Sequence, residues 1–183
     1  MMKKILFIVG SLRQKSFNRQ LAKKAEALVA DKAEVLYLDY ANLPLVNQDK
    51  EYPAPAEVAR VREEVAAADA LWIFTPEYNG SYPGHVKNLF DWLSRPVKPM
   101  DYDTPTCIKG KKVAVSGVGG RAATAHCRSK LTELLTFLKA DVLAEQTGIA
   151  LQPASWQSNE LLLTSEDLQR LETEAAAFLK AVL

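Results

Sequence analysis

A chain of 183 residues is long enough to bury one substantial core and short for two independent ones. With 48% hydrophobic and 25% charged residues it has the composition of a folded protein and not of a disordered one. Its 23 basic and 22 acidic side chains leave a formal net charge of +1, so no bulk field selects nucleic acid or an anionic membrane as partner.

In chain order, the first element is the apolar run Ile5–Val9. It follows Met1-Met2-Lys3-Lys4 as a signal peptide would, but it is shorter than the roughly seven residues of a secretory apolar region and has no cleavage pattern after it. It reads as a buried strand. Further short aliphatic runs follow at Val35–Leu38, Leu71–Phe74 and Val113–Val115, with a weaker one at Val142–Leu143. They are continuous and not alternating, as strands buried on both faces of a parallel sheet must be. Between them lie stripes of helical period: Leu21, Ala25, Leu28 and Val29; Val58, Val61, Val65 and Ala68; Val86, Leu89, Phe90 and Leu93; Leu131, Leu134, Leu135 and Leu138. The tail adds Leu168, Leu171, Ala175, Phe178 and Leu179. Segments 98–109 and 146–158 read as long irregular loops, and no stretch approaches the ~18 apolar residues of a membrane span. Cys107 and Cys127 are far apart and form no Cys-x-x-Cys pair, which predicts a reduced, cytoplasmic protein.

Strand and helix alternating five times over predict an α/β protein with a doubly wound parallel sheet and helices on both faces. Five strands suit the flavodoxin-like order 2-1-3-4-5 better than a six-stranded dinucleotide fold, in one domain covering 1–183. Ligands of such sheets sit outside the carboxyl ends of the strands, so the loops after strands one, three and four are the places to look for chemistry.

The first of these loops, Gly10 to Asn18, suits an oxyanion. Ser11, Ser16 and Asn18 are short donors, Arg13 can make a charge-assisted contact, and a helix beginning near Phe17 points free N–H groups at the ligand. Ser16 is equally a plain N-cap. No Gly-Lys-Ser/Thr follows, which argues against nucleoside triphosphate hydrolysis. The second, Thr75 to Gly84, is braced by Pro76 and Pro83; Asn79-Gly80 can supply the positive φ of a tight turn, and Glu77, Tyr78 and Tyr82 stand among them. The third, Ser116-Gly117-Val118-Gly119-Gly120-Arg121-Ala122, formally matches a dinucleotide fingerprint but comes late in the chain, with no well-placed acidic residue after it.

Pro76-Glu77-Tyr78-Asn79-Gly80-Ser81 with Pro83-Gly84, then Lys87-Asn88, Asp91-Trp92 and Ser94-Arg95-Pro96, resembles the hallmark of the NADPH-dependent FMN reductase family, which includes bacterial quinone, chromate and azo-dye reductases. The Gly10–Asn18 loop resembles that family's phosphate loop, and the resemblance extends to the fourth helix. It implies FMN as cofactor and NADPH or NADH as co-substrate, with hydride passing through FMN to a quinone, free flavin, azo dye or similar acceptor. Ser11, Arg13, Ser16, Phe17 and Asn18 would surround the FMN phosphate. Pro76, Glu77, Tyr78, Asn79 and Gly80 would line its ring, and Ser116, Gly117, Gly119 and Gly120 would bring backbone N–H groups to the pyrimidine edge. Lys87, Asn88, Asp91 and Trp92 read as structural, His85 as a solvent-facing helix start, His126 as a buried or capping residue, and Cys127 as a packed thiol.

Because the cofactor carries the chemistry, no catalytic side chain is expected, and no Ser-His-Asp set, paired carboxylates or metal-ligand set is apparent. The resemblance also implies a homodimer or homotetramer with contacts through 78–83 and 98–109, and a small-molecule acceptor, with no nucleic-acid partner. The competing readings are a flavodoxin-type electron-transfer protein without turnover of its own, against which Arg13 and the +1 charge speak, and a flavin-free interaction scaffold.

Overall fold

The computed structural model of the protein describes residues 2–183. Its elements are β1 (Lys3–Val9), α1 (Phe17–Val29), β2 (Ala33–Tyr37), α2 (Ala56–Ala67), β3 (Ala70–Phe74), α3 (Gly84–Leu93), β4 (Lys112–Gly119), α4 (Ala125–Phe137), β5 (Asp141–Val142), β6 (Gly148–Ala150), α5 (Pro153–Ser158) and α6 (Ser165–Val182), with a 3-10 turn at Gln48–Lys50. The strands pair in parallel in the order β2-β1-β3-β4-β5. That is the flavodoxin-like order predicted from the pattern of runs.

The pleat of β1 explains why the strand runs are continuous. Ile5, Phe7 and Val9 point into one core with α1 and α6, while Leu6 and Ile8 point into a second with α2, α3 and α4. Both faces of the central strands are therefore covered, and all five residues of β3 are buried. On the first face Trp72 stacks on Phe74 at 5.3 Å and meets Phe178 of α6 edge-on at 5.1 Å. Helix ends are fixed locally: Ser16 accepts the Arg19 N–H, and Thr164 and Asp167 form a reciprocal capping box at α6.

Two expectations need correction at the sheet's far side. The fourth strand does not stop at Val115, since Ser116 to Gly119 continue it. What carries it on is a partner that sequence periodicity missed: β6 pairs with Gly117–Gly119 on the edge that β5 pairs with further back. Segment 146–158 is accordingly ordered as β6 and α5. Segment 98–109 contains no helix or strand. Among the described residues no helix is long and apolar enough to cross a membrane.

Candidate functional site

The carboxyl ends of β1, β3 and β4 open onto a cleft of ≈ 200 Å³. From the first loop Ser11, Arg13, Ser16, Phe17 and Asn18 line it; from the third strand's loop Pro76, Glu77 and Tyr78; from the β4 end Val118, Gly119 and Gly120. Leu151 and Trp156, from beyond β6, complete the wall. Ten of the fourteen residues singled out from sequence meet here.

The first loop presents donors. Ser16 is 3% exposed and its hydroxyl accepts from Arg19 N–H at 3.1 Å, so the capping role is real. Among the described residues, the first-turn N–H groups of Phe17 and Asn18 and the Ser11 hydroxyl have no protein partner. These groups, with the positive end of the helix dipole, suit an anion. Arg13 lies over the Phe17 ring, 5.2 Å from its centroid, and donates Nη1–H to Asn159 Oδ1 at 2.8 Å. The guanidinium is thus held in place with further donors free.

Asn18 has another task. Past Phe74, β3 turns away and the β4 edge at Val118 would be left unpaired. The Asn18 side chain fills the gap: Oδ1 accepts the Val118 N–H at 2.9 Å and Nδ2 donates to the Val118 carbonyl at 3.1 Å. It mimics a strand residue, so it joins the first loop to the β4 end and retains one amide hydrogen for a ligand.

The second loop is a two-residue turn. Tyr78 and Ser81 exchange backbone hydrogen bonds at 2.9 and 3.1 Å, and Asn79 (φ 53°) and Gly80 (φ 69°) both take left-handed conformations. Asn79 and Gly80 therefore form the turn's tip and do not line the cleft; their effect is to project Tyr78, which is 52% exposed. Glu77 reaches back to accept the Cys127 N–H at 2.9 Å in the first turn of α4. That helix's own cap residue, Thr124, is left-handed (φ 58°) and makes no side-chain cap bond, so Glu77 supplies the missing acceptor.

The third loop departs most from expectation. The Ser116 side chain does not face the cleft: it is wholly buried, accepts from Trp72 Nε1 at 2.9 Å and donates to Glu174 Oε2 at 2.7 Å. Gly117 N–H donates to Thr147 O at 2.8 Å and the Val118 N–H to Asn18, so neither is free for a ligand. Gly117 is needed for space, because a Cβ there would lie 2.3 Å from Thr124 Oγ1 and 2.5 Å from the Thr75 carbonyl oxygen. Gly119 and Gly120 are the members of the loop that reach the cleft.

Nearby, His85 is half-buried and not solvent-facing. Its ring packs 5.9 Å from that of Tyr40, and Nε2 is enclosed without a partner among the described residues. Burial lowers its pKa, partly offset by the Gly10 carbonyl. His126 is exposed. Cys127 is fully buried, and burial pushes its thiol up to about 11. The other motif residues hold walls. Asn88 accepts the Val46 N–H and donates to Pro44 O, Trp92 Nε1 donates to the same carbonyl, Lys87 pairs with Asp91, and Arg95 pairs through two N–H groups with the buried Glu51.

Sequence reasoning missed Leu151, Val118 and Trp156. An aromatic at 156 was visible, but only the pairing of β6 with β4 brings it back to the first loop.

Comparison with known proteins places the chain among flavin-dependent reductases. The model of the family described as NADPH-dependent FMN reductase matches residues 3–153. A 2-hydroxy-1,4-benzoquinone reductase from a Burkholderia species is 42% identical over 127 residues, 68% of each chain. A quinone reductase from Escherichia coli K12 is 37% identical over 143 residues, covering 76% of this chain and 72% of its own. Among solved structures, the flavoenzyme NAD(P)H:(acceptor) oxidoreductase of Paracoccus denitrificans superposes with a TM-score of 0.85 at 29% identity, covering 98% of this chain and 97% of that one.

Proposed function

The chain belongs to the NADPH-dependent FMN reductase family, and from that membership we propose that the three-loop cleft holds FMN and that quinones are the physiological class of acceptor. The protein is an oxidoreductase that uses FMN and NAD(P)H. The observation that carries the site assignment is the convergence of the α1 N-terminus, the Pro76–Tyr78 edge and Gly119–Gly120 on one cleft.

The donor set fits the cofactor. Ser11, Arg13 and the free N–H groups of Phe17 and Asn18 receive its phosphate, with Ser16 fixing the helix start. Pro76, Glu77 and Tyr78 offer an edge to its ring, and Gly119 and Gly120 offer backbone on the other side. Asn79, Gly80, Ser116 and Gly117 serve by shaping these walls. When bound, FMN supplies hydride acceptance and onward electron transfer; the protein binds, orients and shields it, and needs no acid or base of its own.

Residues 1–183 act as one cytoplasmic FMN-binding domain, with no nucleic-acid partner. The chain assembles as a homodimer or homotetramer, a reading supported by Tyr78 and by Val97, Met100 and Tyr102, which are 63%, 81% and 70% exposed. Static light scattering at micromolar concentration tests this, and a monomer would overturn it. The function is tested by absorbance. The flavin band should bleach on anaerobic addition of NADPH or NADH and return with a quinone. A band that neither nicotinamide bleaches would indicate an electron carrier, and a colourless protein that takes up no FMN would sink the site.

A further inference from the structure

Trp156 is unlike the other two tryptophans. Trp72 and Trp92 are buried, and their indole N–H groups donate to Ser116 Oγ and Pro44 O. Trp156 is 63% exposed, and among the described residues its Nε1–H has no acceptor. A large aromatic with a free donor, left in solvent at a cleft, is the profile of a ligand-contacting residue. It also lies just outside the 3–153 stretch matched by the family model.

Its placement is built. Trp156 meets the Phe17 ring edge-on at 5.5 Å and lines the cleft with Ser11, Arg13 and Ser16. Short helix α5 is tied to the phosphate-loop side at its end: Asn159 accepts from Arg13 through its side chain (2.8 Å) and from Gln20 Nε2 through its carbonyl (3.0 Å). Gln20 Oε1 then accepts the Leu161 N–H at 2.7 Å, and the wholly buried Ser155 accepts the Leu162 N–H at 3.1 Å.

We propose that Trp156 is an FMN-binding residue, closing the phosphate end of the cleft and donating its indole N–H to the FMN phosphate. The proposal rests on the FMN site proposed above. Its test compares FMN with riboflavin, which has the same ring and no phosphate. Wild-type, Trp156→Phe and Trp156→Ala proteins are stripped of flavin, reloaded, and titrated by the change in flavin fluorescence. Loss of a hydrogen bond to a charged group predicts FMN affinity about tenfold or more weaker in Trp156→Phe, with riboflavin affinity unchanged and the flavin spectrum preserved. Trp156→Ala should weaken FMN further. FMN affinity within twofold of wild type in Trp156→Phe would overturn the proposal, as would equal losses for both flavins. Wild-type protein that binds neither flavin would overturn the FMN site itself, a result distinct from either.

Discussion

Glu174 provides a sharp test of how burial acts in this fold. It sits on α6 inside the core, 1% exposed, where Oε2 accepts from Ser116 Oγ at 2.7 Å and from Thr147 N–H at 2.9 Å. Oε1 is enclosed without a partner, and Arg128, the cation acting on it, makes no ion pair with it among the described residues. Desolvation, only partly offset by those hydrogen bonds and by Arg128, pushes its carboxyl from 4.5 up to about 7. A folded pKa above the unfolded one means that the folded state holds the proton more tightly. The stabilisation is complete below pH 4.5 and is lost as pH rises through about 7, a difference of roughly 3 kcal/mol. Glu174→Gln keeps an acceptor for Ser116 and Thr147 and cannot ionise. Urea unfolding at fixed FMN concentration, from pH 4.5 to 8.5, should show the variant gaining on wild type as pH rises and exceeding it at pH 8. A variant that is weaker at pH 8, by a margin that grows with pH, would refute the reasoning and make Glu174 an ionised partner of Arg128.

Arg13→Ala should weaken FMN binding by about 1.5–3 kcal/mol, the scale of a charged hydrogen bond; unchanged affinity in a fluorescence titration would remove Arg13 from the site. Arg95→Met removes both charge-assisted hydrogen bonds from the Glu51 carboxylate, which is 4% exposed at its side chain and keeps Arg62 and Tyr52 nearby, and should cost about 1–3 kcal/mol in urea unfolding. Because Arg95 holds the Glu51 carboxyl below the usual range, the wild-type pair contributes at neutral pH and is lost on acidification through that lowered pKa, so the gap between variant and wild type should narrow in acid. Gly117→Ala places a methyl against Thr124 Oγ1 and the Thr75 carbonyl and should destabilise by roughly 1–3 kcal/mol, with flavin retention falling in parallel; a neutral outcome would show that the β4 end yields easily.

What was legible from sequence was whatever the local pattern determines. The runs of β1 and β3 are buried on both faces, so apolar content alone marks them, and Asn79-Gly80 announces its own turn. The residues that escaped depend on partners distant in the chain. Glycines at 117 and 119 look like a loop, yet their backbone continues a strand because residues 147–151 lie alongside. Glu77 reads as a ring-lining acid, and its carboxylate also accepts from Cys127 in the first turn of α4, fifty residues later. Asn18 reads as an anion donor, and its side-chain amide also pairs with Val118, one hundred residues away, a task no local pattern announces.

The helical part of the family-like motif, from Lys87 to Pro96, is in physical terms scaffolding. Asn88 and Trp92 are four apart on α3 and so share a face. Both converge on the Pro44 carbonyl and pin residues 44–46 against the helix. Arg95 does the same for Glu51 one turn on. The cleft itself draws on backbone as well as side chains: the α1 N-terminus, the Pro76–Tyr78 edge and the Gly119–Gly120 segment all line it. Backbone donors carry no residue type, which is why no catalytic constellation was visible in the sequence. Chemistry supplied by a cofactor asks the chain for shape and for N–H groups at chosen points. Residues that hold three loops at one place can therefore be as narrowly specified as any nucleophile, without touching the ligand.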